Sequence, residues 1–144
     1  MSMDKTGKKQ GKYQSEDQLD PERRQWILAH SREGRLPCAV AFQIVEKKNM
    51  SPEEIGAYAD VLQIRLAKCQ LGLFGYQPEK RIVKKVATID ARLQEALRQK
   101  AANNRLACAD AWEIAATLKI SKLEVGNACE TMSIKMHSCQ LGAF

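Results

Sequence analysis

Five cysteines offer the most versatile chemistry in this chain of 144 residues, because a thiolate can bind zinc or take part in redox reactions. Four of them form two pairs with thirty residues between the members of each pair: Cys38 with Cys69, and Cys108 with Cys139. Cys129 and His137 are further candidate metal ligands. No pair has the Cys-x-x-Cys spacing typical of structural zinc sites, and a cysteine outside such sites is commonly a buried apolar residue. We therefore predict core thiols and no bound metal, with metal binding or redox switching at the four repeated positions as the alternative.

Catalytic residues are not indicated by any spacing in the sequence. His30 and His137 have no serine or cysteine placed beside them by a motif, and no glycine-rich loop is spaced to hold a phosphate. We predict that the protein is not an enzyme and has no cofactor. No apolar run exceeds five residues, which argues against a membrane span or a signal-peptide core. A cytoplasmic protein with reduced cysteines is therefore expected.

Positive charge indicates a polyanionic partner. The chain contains 23 Lys and Arg against 17 Asp and Glu, and its sequence pI is near 9.1. The excess is concentrated in residues 75–105, where eight basic residues face three acidic ones: Lys80, Arg81, Lys84, Lys85, Arg92, Arg98, Lys100 and Arg105. Such a cluster either contacts phosphates or forms a solvated face. Lysines in the first twelve residues (Lys5, Lys8, Lys9 and Lys12) could add nonspecific attraction.

The end of the chain repeats its middle at a constant offset of 70 residues. Fifteen of the forty positions in 35–74 are identical to those in 105–144 without any gap. Average residue usage would give about two or three identities by chance. We predict two units with the same backbone fold, at 20–88 and 89–144, after a disordered basic tail at 1–19.

Three helices are predicted in each unit. The first are expected at 21–33 and 90–102, the second at 37–48 and 107–119. The third helices have the clearest starts, because Ser51 with Glu54 and Ser121 with Glu124 form capping boxes. These helices are expected to end near residues 62 and 132.

Alternating apolar residues predict a strand after each third helix, at 64–71 and 134–141. In the first unit, residues 72–79 have the Gly and Pro content of a turn, and 81–86 is predicted to return as a second strand. The second unit ends before such a strand. The fold class is therefore predicted as mainly α with a short β-hairpin, an α+β fold of two tandem units.

Three helices with a tight turn before the third, followed by a hairpin, resemble the winged helix-turn-helix class. Asn49 lies in that turn and tolerates the left-handed conformation. Apolar residues lie where the motif places its core: Ile44, Met50 and Ile55, with Ile114, Ile120 and Val125 in the second unit. The resemblance implies a small DNA-binding protein associated with transcription regulation.

The outward faces of the third helices are poorly equipped to read bases. They are predicted to carry Glu53, Gly56, Ala57 and Asp60 in the first unit, and Lys122, Leu123, Gly126, Asn127 and Glu130 in the second. Among these, the usual base and phosphate donors are Lys122 and Asn127. We therefore expect backbone contacts from a basic wing, together with Arg92 and Arg98, and nonspecific or weakly specific DNA binding.

A protein–protein adaptor is the alternative function, in which the neutral third-helix faces bind a partner or a second copy of the chain. Gly56 and Gly126 bear on this alternative, because glycine inside a helix costs about 0.5–1 kcal/mol relative to alanine. Close packing against the second helix, near Ala41 and Ala111, is the expected reason for both glycines. Close approach of a partner's backbone is the other explanation.

Overall fold

A computed structural model describes residues 13–144, which form six α-helices and two short two-stranded sheets. This confirms the predicted mixture of helix and strand. The helices are α1 (Pro21–His30), α2 (Cys38–Lys48), α3 (Pro52–Val61), α4 (Ala91–Lys100), α5 (Cys108–Leu118) and α6 (Lys122–Thr131). The strands are β1 (Arg35–Pro37), β2 (Arg65–Ala67), β3 (Arg105–Ala107) and β4 (Lys135–His137).

Helix and strand boundaries repeat with the period of the sequence, because each element from α4 onward begins and ends 70 residues after its counterpart. The capping boxes are formed in both units. Ser51 Oγ accepts from the Glu54 N–H and Ser121 Oγ from the Glu124 N–H, each at 3.1 Å. Asn49 is left-handed, with φ of 54°, as its place between two helices predicts.

The described chain divides into two compact units. The first contains the described residues up to Cys69 together with Gln140–Phe144, and the second contains Gln70–Cys139. The predicted boundary at 88/89 follows the repeat, whereas the compact units divide directly after Cys69 and after Cys139. Each unit therefore includes the Gln-Leu-Gly segment that follows the strand of the other repeat.

The sheet of each unit is parallel. Strand β1 pairs with β2, and β3 pairs with β4, in registers that again differ by 70 residues. The strand predicted at 64–71 is limited to three residues, and Lys68 follows it with a left-handed φ of 48°. The corresponding residue after β4, Ser138, has a φ of 54°. A reversal of this kind ends the extended backbone on which strand pairing depends.

The return strand predicted at 81–86 is wrong, because residues 81–86 contain no strand. Their amides have other acceptors. Ile82 and Val83 donate to the carbonyl of Gly72, and the amides of Lys84 and Val86 donate to side chains of α6. The hairpin that the winged-helix resemblance implies is therefore not formed by this segment.

Residues 13–19 are packed, although they were expected to belong to a disordered tail. The ring of Tyr13 meets that of Tyr58 edge-on, with 5.3 Å between centroids, and Leu19 is only 5% exposed. Two apolar side chains are enough to hold this short segment against the first unit. Residues 1–12, including the four lysines predicted to attract polyanions, lie outside the described part of the chain.

The core of each unit contains the apolar residues predicted around the turn between its second and third helices. Ile44, Met50 and Ile55 are buried in the first unit, and Ile114 and Val125 in the second. Ile120, which corresponds to Met50, is only half-buried because it lines a cavity in the second unit.

Candidate nucleic-acid interface

The predicted nucleic-acid-binding residues all lie in the second unit, and four of them belong to residues 80–85, which we call the basic segment. A tight turn precedes it: Tyr76 and Lys80 exchange backbone hydrogen bonds of 3.1 and 3.0 Å. The backbone then runs extended over helix α6. The site therefore has a defined start and a defined support.

Three contacts with α6 hold the basic segment and the residue after it. They join Arg81 Nη2 to Glu130 Oε2 (2.6 Å), the Lys84 N–H to Asn127 Oδ1 (2.9 Å) and the Val86 N–H to Thr131 Oγ1 (2.9 Å). Two of the contacts use backbone amides, so they position the chain without engaging a lysine ammonium group. The roles of Glu130 and Thr131 were not predicted, because no local motif links residues more than forty positions apart.

The lysine side chains of the basic segment are exposed. Lys80, Lys84 and Lys85 take no part in an ion pair within residues 13–144, and Arg98 on α4 is exposed in the same way. A lysine can contact phosphate only when its ammonium group is accessible and is not already neutralised by a carboxylate. These four side chains meet that condition.

Arg81 and Arg92 are engaged by carboxylates. Arg81 pairs with Glu130, and Arg92 lies 3.4 Å from the carboxylate of Asp90, the N-cap of α4. The backbone N–H of Arg92 donates to the same carboxylate and lowers the pKa of Asp90 below its usual value. Arg92 therefore belongs to the helix cap, and both arginines are less available to phosphate than the lysines.

Lys122 and Asn127, the predicted donors of the third helix, have structural contacts. The Lys122 ammonium lies 4.6 Å from the centroid of the Trp112 ring, a cation–π geometry. Asn127 uses its side-chain oxygen to hold the amide of Lys84. These contacts leave α6 with little capacity for direct base readout.

The glycines of the third helices are covered by backbone. A Cβ atom on Gly56 would overlap the carbonyl oxygen of Leu141, and one on Gly126 would overlap the carbonyl oxygen of Leu71. The expected packing against α2 and α5 is therefore not what requires glycine here. The alternative, a close backbone approach, is correct, but the backbone belongs to the same chain. Gly56 and Gly126 are consequently not part of an outward face.

The cysteines are mostly core residues. Cys38, Cys69, Cys108 and Cys129 are buried, whereas Cys139 is half-buried. Within residues 13–144, no group of three or more His, Cys, Asp and Glu is placed to hold a metal ion. Burial raises the pKa of the Cys129 thiol to about 12.

Thiol reactivity should follow these environments. At about pH 8, Cys129 is expected to react with a disulfide reagent far more slowly than Cys139, because roughly one Cys129 side chain in ten thousand is a thiolate at that pH. Peptide mass spectrometry after timed labelling measures both rates, and the urea-unfolded protein is the control. Equal rates at the two cysteines in the native protein would contradict the burial of Cys129.

Candidate relatives were sought at three levels, and no helix within residues 13–144 has the length and apolar character to cross a membrane. Comparison with models of known families, with characterised proteins and with solved structures gives no match.

Proposed function

We propose that the protein binds nucleic acid, as a small transcription-associated DNA-binding protein, through phosphate contacts made by the basic segment of its second unit. The observation that carries the proposal is that the segment's backbone is held on α6 while Lys80, Lys84 and Lys85 remain exposed. A positioned backbone reduces the conformational entropy that binding would otherwise cost. We further propose that its three-helix units are related to winged helix-turn-helix domains, with this segment in place of a wing, and that it acts in the cytoplasm.

Charge is divided unequally between the units, which supports the choice of surface. The second unit has eleven Lys and Arg against seven Asp and Glu, whereas the described part of the first has eight against nine. Helix α3 of the first unit also exposes Glu53 and Asp60, which would repel phosphate. The polyanion is therefore expected to meet the second unit.

Recognition should be nonspecific or weakly specific. The lysines of the basic segment can neutralise phosphates, while the candidate base-reading residues Lys122 and Asn127 are engaged elsewhere. Phosphate contacts position a protein on a duplex but carry no sequence information directly. The adaptor hypothesis has less support, because the small-residue surface it needs at Gly56 and Gly126 is covered by the chain itself.

Replacement of Lys80, Lys84 and Lys85 by Gln should weaken duplex binding about equally for unrelated sequences. Each lost phosphate contact should make the slope of log affinity against log salt less negative by about 0.9. Loss of all three contacts should reduce affinity by about a hundredfold or more near 0.1 M salt. Fluorescence anisotropy with a labelled duplex of about 20 base pairs, over a range of salt concentrations, measures both quantities.

A matched control removes three exposed charges from the first unit: Lys47→Gln, Arg65→Gln and Lys68→Gln. This variant has the same net charge as the test variant, so it separates a local contact from a general loss of charge. It should retain most of the affinity and most of the salt dependence. Equal losses in the two variants, or no duplex binding by the unaltered protein at about 50 mM salt and micromolar concentration, would refute the proposal.

A further inference from the structure

A cavity of about 240 Å³ lies within the second unit, beside the start of α4 and the first turns of α6. Its walls are largely apolar, with side chains from α4, from the turn between α5 and α6, and from α6: Leu93, Leu118, Ile120 and Ala128. Asp90, Glu124 and Asn127 add polar groups at its edge. An apolar space with a few polar groups is the usual composition of a small-molecule site.

The first unit has a phenol ring at the corresponding place. Ala128 corresponds to Tyr58, whose side chain is 2% exposed. The Tyr58 hydroxyl accepts a hydrogen bond of 3.0 Å from the backbone N–H of Asp20, the residue that caps α1. Tyr58 therefore spans the distance from the third helix to the start of the first.

The second unit retains both ends of this arrangement without the ring between them. Ala128 and Asp90, the counterparts of Tyr58 and Asp20, both line the cavity. Asp90 caps α4 as Asp20 caps α1, and its N–H donates to no acceptor among residues 13–144. The cavity thus contains the space and the hydrogen-bond donor that a phenol would need.

The walls differ between the units in the same direction. Three charged residues of the first unit, Glu16, Arg23 and Lys48, correspond to Val86, Leu93 and Leu118 in the cavity lining. In the first unit Arg23 also pairs with Glu54 at 2.6 Å, a contact that Leu93 cannot make with Glu124. The second unit therefore combines the missing ring with a more apolar surrounding.

We propose that this cavity binds a small monocyclic phenol. Its ring would occupy the space filled by the Tyr58 ring in the first unit, and its hydroxyl would accept from the N–H of Asp90. The volume is sufficient, since an apolar protein cavity of about 150 Å³ can bind benzene. This site is separate from the lysines of the basic segment, so the inference does not depend on nucleic-acid binding.

Titration of the full-length protein with 4-methylphenol, followed by amide chemical shifts in ¹⁵N NMR spectra, tests the site directly. Saturable binding in the millimolar range should shift the amides of Asp90, Asn127 and Ala128. Toluene should bind about tenfold more weakly, because it leaves the Asp90 N–H without an acceptor. Absence of saturation by about 10 mM, or shifts confined to residues outside the cavity, would overturn the proposal.

Ala128→Tyr should abolish this binding, because it supplies the ring that the first unit already contains. The affinity for 4-methylphenol should fall at least tenfold. Ala116→Tyr, on the exposed face of α5, is the control and should bind like the unaltered protein. If Ala128→Tyr does not fold, Ala128→Leu fills part of the same space and should also weaken binding. Unchanged affinity in either folded Ala128 variant would overturn the proposal.

Discussion

Gly56→Ala and Gly126→Ala are each expected to lower the free energy of unfolding by about 3 kcal/mol or more. An added methyl group would overlap a backbone carbonyl oxygen, that of Leu141 for Gly56 and that of Leu71 for Gly126. A side chain could rotate away, but a carbonyl can move only if its whole segment leaves the helix. This penalty exceeds the 0.5–1 kcal/mol or so that alanine contributes inside an unobstructed helix.

Urea unfolding followed by circular dichroism measures these losses. Gly142→Ala is an informative control, because Gly142 has a φ of +82° and nothing within 4 Å of its added Cβ. It should cost about 1–2 kcal/mol through backbone strain alone. A gain in stability for Gly56→Ala or Gly126→Ala would show that the Gln-Leu-Gly segments do not pack on the third helices.

Tyr58→Ala should lower the free energy of unfolding by about 3–5 kcal/mol. The side chain is 2% exposed, lies edge-on to the Tyr13 ring and accepts from the Asp20 N–H, so its removal leaves both a cavity and an unpaired donor. Tyr58→Phe keeps the ring and loses only the hydrogen bond, at a cost of about 1 kcal/mol.

The difference between these two variants in urea unfolding separates the contribution of the ring from that of the hydroxyl. Nearly equal losses for Tyr58→Ala and Tyr58→Phe would mean that the ring contributes little to packing. That result would also weaken the comparison with Ala128, since the cavity in the second unit is interpreted as the space of this ring.

Predictions based on neighbouring residues were the most successful. The helices begin where proline and the capping boxes place them, because a cap is formed by residues three positions apart and needs no other part of the chain. Asn49 is left-handed for a similarly local reason. The 70-residue repeat also predicted the matching element boundaries, since equivalent sequences have equivalent local preferences.

The return strand failed because its hydrogen-bond partners were decided far away. Residues 81–86 alternate and contain Ile82, Val83 and Val86, as a strand would. In the folded chain, Asn127 and Thr131 of α6 accept the amide hydrogens that strand pairing would have used. The parallel partners β1 and β2 were also not foreseen as a pair, because three-residue strands are too short to show a pattern.

The sequence alone determined the repeat, the helices with their caps and the concentration of positive charge in residues 75–105, because each depends on residue identity at a known spacing. Only the tertiary structure decided which charges are accessible, since Arg81 is paired by a glutamate 49 residues away while the three lysines of the basic segment are exposed. It also decided what the repeated glycines do and where Ala128 leaves a cavity. These properties arise from contacts between distant segments, and local residue preferences do not specify them.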